Sequence, residues 1–352
     1  MHAVKVNSKN AEPVRLYLKK HAMLDIKHKV IRSNSFIYFP VLSADAAAEA
    51  VHVFKSIGVE KSKIKPVVSR ANSNYRDILR KKLGEEYADA VKGFDILGNI
   101  AIIDAEPALA RRIAEAVMET NRSVSTVLRK SGAVHGTYRT RRYTYVAGKR
   151  TYVADYTENG ARLIFDVRKT FFSCRLSFER SRISRLSRGR ENVIVMFAGV
   201  GPFAIEIAKH NSSAKVVAIE LNDYAYKAML GNIRLNKTTN VAAVKGDAGK
   251  VAEKYKNFAD RIVMPLPKDS GAFLSAALAC AKKRCTVHYY AFVDIDKGAD
   301  RCMEGLGSFF KSKGCRFRVT KTRIVRPYAP KTVEIVVDFI IEKTASSKSR
   351  RG

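Results

Sequence analysis

The chain has 352 residues, with 65 lysines and arginines against 33 aspartates and glutamates, for a formal net charge of +32. Its 46% hydrophobic residues can fill folded cores, which excludes a disordered chain, and no apolar run reaches the roughly 18–20 residues of a membrane span. A basic surplus of this size stays at the surface and calls for a polyanionic partner, although solubilising lysines or a basic proteome would produce it too.

In chain order, residues 1–66 read as a small α+β module with no signal peptide at Met1–Val6. It has a basic helix over Glu12–His21, a strand over Phe36–Val41 and a helix over Ala44–Phe54. Lys61–Ser73 is polar and broken at Lys65-Pro66, as a linker would be. A second α+β module, residues 74–169, carries helices over Tyr75–Leu83 and Pro107–Glu119 and a strand pair, Phe94–Ile103, turning at Gly98-Asn99. Its segment Gly136–Arg150 is β-rich and sets five basic residues among three tyrosines. Strands over Tyr152–Asp155 and Ala161–Val167 follow, about the turn Glu158-Asn159-Gly160. Residues 170–344 alternate strand and helix, with strands at Val193–Phe197, Lys215–Glu220, Ala242–Lys245, Arg261–Met264 and Thr286–Tyr290. That pattern predicts an α/β fold with a doubly wound, Rossmann-like sheet, edged by a hairpin of Phe317–Val325 and Thr332–Ile341. Residues 345–352 read as a disordered basic tail. Five scattered cysteines without a C-x-x-C pair fit a reduced, cytoplasmic protein with no metal site.

The run Met196–Phe203 follows the first of these strands and leads into a helix. Gly199 and Gly201 let the loop turn sharply and approach a ligand closely, and Glu220 ends the next strand about twenty residues on, where a carboxylate can accept two ribose hydroxyls. On the glycines alone an ordinary βα turn is an equal reading; the spacing to the acid favours a nucleoside-cofactor crevice. The loop is neither G-x-G-x-x-G nor G-x-x-x-x-G-K-[ST], which disfavours NAD and ATP and favours S-adenosylmethionine, whose sulfonium needs no phosphate cradle. Asn222-Asp223 caps a helix. Gly246-Asp247-Ala248, Met264–Pro267 and His288–Tyr290 each stand just past a predicted strand, where α/β sheets bind ligands. Each has a plain structural reading, and only their shared position makes one crevice. Before the sheet, Glu179 sits among arginines, which would keep it ionised as a proton acceptor.

These segments resemble the archaeal and eukaryotic tRNA (guanine-37 N1)-methyltransferase family. The matching runs are Phe94–Ile103, Gly136–Arg139, Lys169–Arg182, Met196–Phe203, Ala218–Asn222, Asp260–Pro267, His288–Tyr290 and Arg323–Pro330. They span nearly the whole chain. The resemblance implies that Glu179 is the general base, that Arg139 stabilises charge on guanine O6, and that Arg175 organises the site. It implies S-adenosylmethionine contacts at Phe197, Gly199, Gly201, Phe203, Glu220, Leu221, Asp247, Ala248 and Pro265, and substrate contacts at Arg180, Pro267 and Tyr328. The implied partner is tRNA, gripped at its anticodon loop and outer corner by a cytoplasmic monomer, with residues 1–66 as docking domain and 74–169 as RNA-binding domain. Three positions depart from the family pattern: Val195 replaces an aspartate, Cys174 a proline and Pro265 an asparagine. The last suits a bulkier base, and a branch of the family also methylates C7 of 4-demethylwyosine. An aminocarboxypropyl transferase of wybutosine synthesis, a non-catalytic basic RNA-binding protein and a small-metabolite Rossmann enzyme are the alternatives.

Overall fold

The computed structural model describes residues 1–25, 28–33, 35–66, 78–81, 84, 93–133 and 136–344. The expected tail, residues 67–73 of the linker and most of the helix over Tyr75–Leu83 lie outside them. The chain divides into two compact units, residues 1–89 and 90–352. No helix among the described residues is long and apolar enough to cross a membrane.

In the first unit, β1 (His2–Asn7), β2 (Ile31–Ser33), β3 (Phe36–Pro40) and β4 (Glu60–Lys63) make an antiparallel sheet ordered β2-β3-β1-β4. Helices Ala11–Lys20 and Ala44–Val53 share a core with it through Val14, Leu18 and Ala50 against Val4, Val6 and Phe39. The second helix begins at a Ser43 cap, whose Oγ accepts the Ala46 N–H at 3.1 Å. Lys61–Lys63 is therefore strand, where the sequence reads as linker; its pairing with β1 satisfies backbone groups that a linker would leave to water.

The second unit opens with β5 (Phe94–Leu97), β6 (Ile100–Ile103), β7 (Thr126–Lys130) and β8 (Tyr143–Gly148), hydrogen-bonded in that order. The parallel pair β6/β7 is joined through helix Pro107–Thr120. A hairpin of β9 (Val153–Glu158) and β10 (Ala161–Asp166) turns on Asn159 and Gly160, both left-handed at φ 46° and 78°, the backbone a two-residue hairpin loop demands. Two asparagines one helical turn apart on Asp223–Leu235 and its cap fasten this hairpin. Asn232 Oδ1 accepts the Ile164 N–H at 2.8 Å and Asn236 Oδ1 the Arg162 N–H at 2.9 Å, so each amide stands in for a missing neighbour strand. Leu97, Leu128, Leu163 and Phe165 pack with Val200, Ile205 and Ala225 in one core that crosses residue 169.

The main sheet has seven strands: β11 (Asn192–Val195), β12 (Lys215–Glu220), β13 (Val241–Lys245), β14 (Ala259–Met264), β15 (Ala281–Asp294), β16 (Cys315–Ala329) and β17 (Thr332–Lys343), ordered β13-β12-β11-β14-β15-β17-β16. The first five are parallel, and the β16/β17 hairpin adds antiparallel to β15. Strand order reverses at β11, between β12 and β14. Ligands of such sheets sit at that switch, outside the carboxyl ends.

Candidate active site

The loop after β11 is wound through left-handed backbone at Phe197, Gly199 and Gly201, with φ of 55°, 58° and 91°. A Cβ on Gly201 would stand 2.9 Å from Met229 Cγ, so conformation and space both require glycine there. Pro202 then opens helix Pro202–His210 at a position that needs no N–H. Glu220 ties the loop to β12: the Gly199 N–H donates to its Oε2 and the Asn222 N–H to its Oε1, both at 2.7 Å. Burial raises its pKa, while the N–H groups of Asn222, Gly199 and Leu221 oppose the rise. Each oxygen retains a lone pair for a hydroxyl. Beside it Leu221 is 41% exposed, and Phe197 meets the Phe273 ring edge-on at 4.7 Å. An exposed apolar side chain next to a buried acid with acceptor capacity fits a nucleoside. Asp247 accepts the Lys250 N–H at 3.1 Å as the cap of helix Ala248–Val251. Phe203 and Ala248, read from sequence as cofactor contacts, are buried, with the Phe203 ring centroid 6.0 Å from that of Tyr290.

A cavity of about 430 Å³ includes Asp95, Arg139, Phe171, Arg175, Arg326 and Tyr328 in its wall. Arg139 holds a left-handed backbone, φ 53°, a strain that active sites retain when their surroundings enforce it. Its guanidinium lies 4.8 Å from the centroid of Phe171 and 5.9 Å from that of Phe292. Phe292 in turn stacks on Tyr328 at 3.8 Å. The Phe171 carbonyl reaches to within 3.8 Å of where a Cβ on Gly199 would stand, so the segment leading to helix Ser177–Leu186 crosses the glycine loop. Arg175 pairs with Asp95 at 3.0 Å. Pro265 is half-buried, and Pro267, expected at the substrate, is buried, its carbonyl accepting the Phe292 N–H at 3.1 Å. Sequence reasoning ended this strand at Tyr290 and missed Phe292; β15 runs four residues further because β17 pairs with it to Asp294.

Glu179 is 2% exposed and does not line that cavity. Arg182 Nε and Nη2 donate to its Oε2 at 3.0 and 2.9 Å, and Tyr290 Oη donates to the same oxygen at 3.0 Å. Arg182 also grips Asp338 at 2.5 and 3.2 Å. Asp338 contacts His288 Nδ1 at 2.6 Å, and His288 Nε2 meets Arg261 Nη1 at 2.7 Å. Arg261 has only protons to give, so Nε2 accepts and the Nδ1–H donates to Asp338. The imidazole is thereby neutral. Its pKa is lowered first by burial, with Arg261 and Arg182 adding to that. Burial opposes ionisation of Asp338, but hydrogen bonds from His288 and Arg182 hold its pKa below the usual carboxylate range. With the neutral imidazole supplying no charge, Arg182 is the cation that favours the carboxylate. Arg182, Tyr290, Arg323 and Asp338 were invisible as a set from sequence. One local sign existed: His288 and Tyr290, two apart on a strand, share a face.

Arg180, expected at the substrate, is 2% exposed. It forks onto Glu158, donates to the Ser173 carbonyl at 3.0 Å, and lies 3.7 Å from Glu206 Oε1. Two buried carboxylates draw it inward. It locks the β9/β10 hairpin to the helix that carries Glu179.

Against known proteins, residues 154–318 match the TRM5/TYW2 methyltransferase domain, 75–151 the TYW2 N-terminal domain and 3–49 the tRNA methyltransferase 5 N-terminal domain. The chain is 35% identical over 341 residues to tRNA (guanine(37)-N(1))-methyltransferase Trm5b of Pyrococcus abyssi, covering 96% of this chain and 98% of that one. The crystal structure of the same relative gives a TM-score of 0.70 over 97% of this chain and 99% of that one, at 33% identity. It is 33% identical over 259 residues to tRNA 4-demethylwyosine(37)-methyltransferase Taw21 of Saccharolobus solfataricus, covering 72% and 96%. A solved complex of aTrm5 with tRNALeu gives a TM-score of 0.65 at 27% identity, over 98% of this chain and 100% of that chain. A chain that aligns end to end with such relatives, and whose glycine loop, ribose-side acid and connecting segment meet at one sheet switch point, belongs to the TRM5/TYW2 methyltransferase family.

Proposed function

We propose that this enzyme transfers the methyl group of S-adenosylmethionine to N1 of guanosine 37 in the tRNA anticodon loop. The observation that carries the reading is the end-to-end likeness to a tRNA (guanine(37)-N(1))-methyltransferase, N-terminal domain included; the 4-demethylwyosine relative matches only 72% of the chain. S-adenosylmethionine supplies an electrophilic methyl whose C–S bonding electrons leave with sulfur. Glu220 would accept from the ribose of this donor, Leu221 would cover its adenine, and Asp247 would face the adenine amino group. The glycine loop would bring backbone close to the donor without a Cβ between them.

Guanine N1 bears a proton and is a poor nucleophile until that proton leaves. In this reading Glu179 accepts the proton, and Arg139 offers its guanidinium to O6 as negative charge grows there, an interaction stronger in the transition state than in the ground state. The target base leaves the anticodon stack to reach the donor, and Phe171, Phe292 and Tyr328 give it aromatic surfaces. Arg175, held by Asp95, keeps the connecting segment against the β5 sheet. Residues 1–66 dock the tRNA outer corner, the basic strands of 74–169 follow the anticodon stem, and the enzyme acts as a cytoplasmic monomer.

Pro265 supports a second substrate. An apolar ring, where the family pattern carries a base-bonding amide, suits the tricyclic 4-demethylwyosine, methylated at C7. Mass spectrometry of nucleosides after incubation with donor and two tRNAs, one with guanosine 37 and one with the tricycle, tests both. The first reading predicts 1-methylguanosine; the second adds a methylated tricycle. An aminocarboxypropyl adduct in place of a methyl would overturn the assignment.

A further inference from the structure

The two oxygens of Glu179 are held unequally. Oε2 accepts all three hydrogen bonds, from Arg182 and Tyr290. Oε1 is buried and accepts none. Arg323 Nη1 stands 2.9 Å from it, near enough for charge attraction but out of line for a hydrogen bond. The other cations of this cluster are fixed from several sides: Arg182 by Glu179 and Asp338, Arg261 by Glu191, the Leu186 carbonyl and His288. Arg323 is different. Its side chain is 29% exposed, and its guanidinium rests 4.7 Å over the ring of Phe178, a side chain that itself faces solvent. A poorly aligned, solvent-reachable arginine is readily drawn to a phosphate, which offers it two aligned acceptors.

We propose that Arg323 is a two-position residue: it covers Glu179 Oε1 in the free enzyme, then moves to a backbone phosphate of bound tRNA and leaves that oxygen to take the proton. The proposal rests on the reading of Glu179 as the base. The groups facing Glu179 are Arg182 on its own helix, Tyr290 on β15 and Arg323 on β16, with Asp338 on β17 and His288 on β15 behind Arg182. Departure of Arg323 leaves one cation on the carboxylate in place of two. Oε1 is then open to a proton only when substrate is present. Arg323 is a positioning residue in this account, since it touches the base and not the reacting purine.

The test uses full-length Arg323→Gln and Arg323→Lys with a guanosine-37 tRNA transcript. The pH dependence of kcat/KM reports the free enzyme, and that of the single-turnover rate at saturating tRNA reports the complex. Arg323→Gln is expected to move the acid limb of kcat/KM up by about one pH unit and to leave the limb of the saturated rate in place. It should also reduce the slope of log Kd against log salt by about 0.7, one phosphate contact. Arg323→Lys should keep the wild-type slope. Movement of both limbs together would mean that Arg323 never leaves Glu179. An unmoved kcat/KM limb, with or without a change in slope, would mean that it never guards it. Either result overturns the proposal. Glu179→Gln separates the underlying reading: if it keeps its turnover, the base assignment fails. The slope change from adding Arg323→Gln to that variant, which has no unpaired buried carboxylate, still reads the phosphate contact.

Discussion

Glu206→Gln should change the pH dependence of stability while leaving the fold intact. Glu206 is 3% exposed and faces Glu158 across the single guanidinium of Arg180. Its Oε2 accepts from Asn159 Nδ2 at 2.9 Å, and its Oε1 has no hydrogen-bond partner. One cation cannot balance two carboxylates. Burial, then the charge of Glu158, pushes the Glu206 carboxyl from 4.5 up to about 8. The folded state therefore holds a proton that the unfolded chain releases near 4.5. Because the folded value is the higher one, this stabilisation is fully present below pH 4.5, declines above it, and is gone once pH has passed about 8. At 1.36 kcal/mol per pH unit, the whole interval from 4.5 to about 8 corresponds to about 5 kcal/mol, about 4 of it lost between pH 5 and 8. The Gln amide keeps the shape, accepts from Asn159 and donates toward Glu158, yet cannot ionise. The chain has no tryptophan, so urea unfolding is best followed by far-UV circular dichroism, from pH 5 to 9. Wild type should lose stability relative to Glu206→Gln steadily up to about pH 8 and level off beyond it. Parallel curves would refute the shared-proton account.

Other outcomes follow from the crevice. Arg139→Ala should slow single-turnover methyl transfer by about 10²–10³-fold, the effect of removing an oxyanion donor, with tRNA affinity little changed; equal loss in both would make Arg139 a phosphate contact. Glu220→Gln should weaken S-adenosylmethionine binding in equilibrium dialysis by at least tenfold, since a hydrogen bond to a charged group contributes about 1.5–3 kcal/mol; unchanged affinity would remove the donor from β12. Binding of tRNA should fall steeply with salt through counterion release. A flat response would detach the +32 charge from RNA binding.

Much of the sheet was legible because its signals are local. The apolar runs at β11, β12, β13 and β14 stand between polar turns, and their predicted limits fall within two residues of the observed ones. The Asn159-Gly160 turn and the Asn222 cap were readable from side-chain chemistry alone. β1 was missed because His2 and Lys5 interrupt six residues that only pairing with β3 and β4 makes a strand. β15 and β16 proved longer than their apolar cores because β17 extends both polar ends. Arginine burial was the least legible feature. Arg180 and Arg182 belong to an exposed-looking charged run, and what draws them inward lies far away in sequence: Glu158 and Glu206 for the first, Asp338 for the second. The same distance hid the setting of Glu179, whose partners Tyr290 and Arg323 come from other strands.

The measurement that bears most directly on the central claim is single-turnover methylation of guanosine-37 tRNA by Glu179→Gln, alongside equilibrium binding of S-adenosylmethionine. Proton acceptance by this carboxylate predicts a fall of about 10²–10⁴-fold in the methylation rate with donor affinity close to wild type. A rate within a few-fold of wild type, in a variant that still binds the donor, would contradict it.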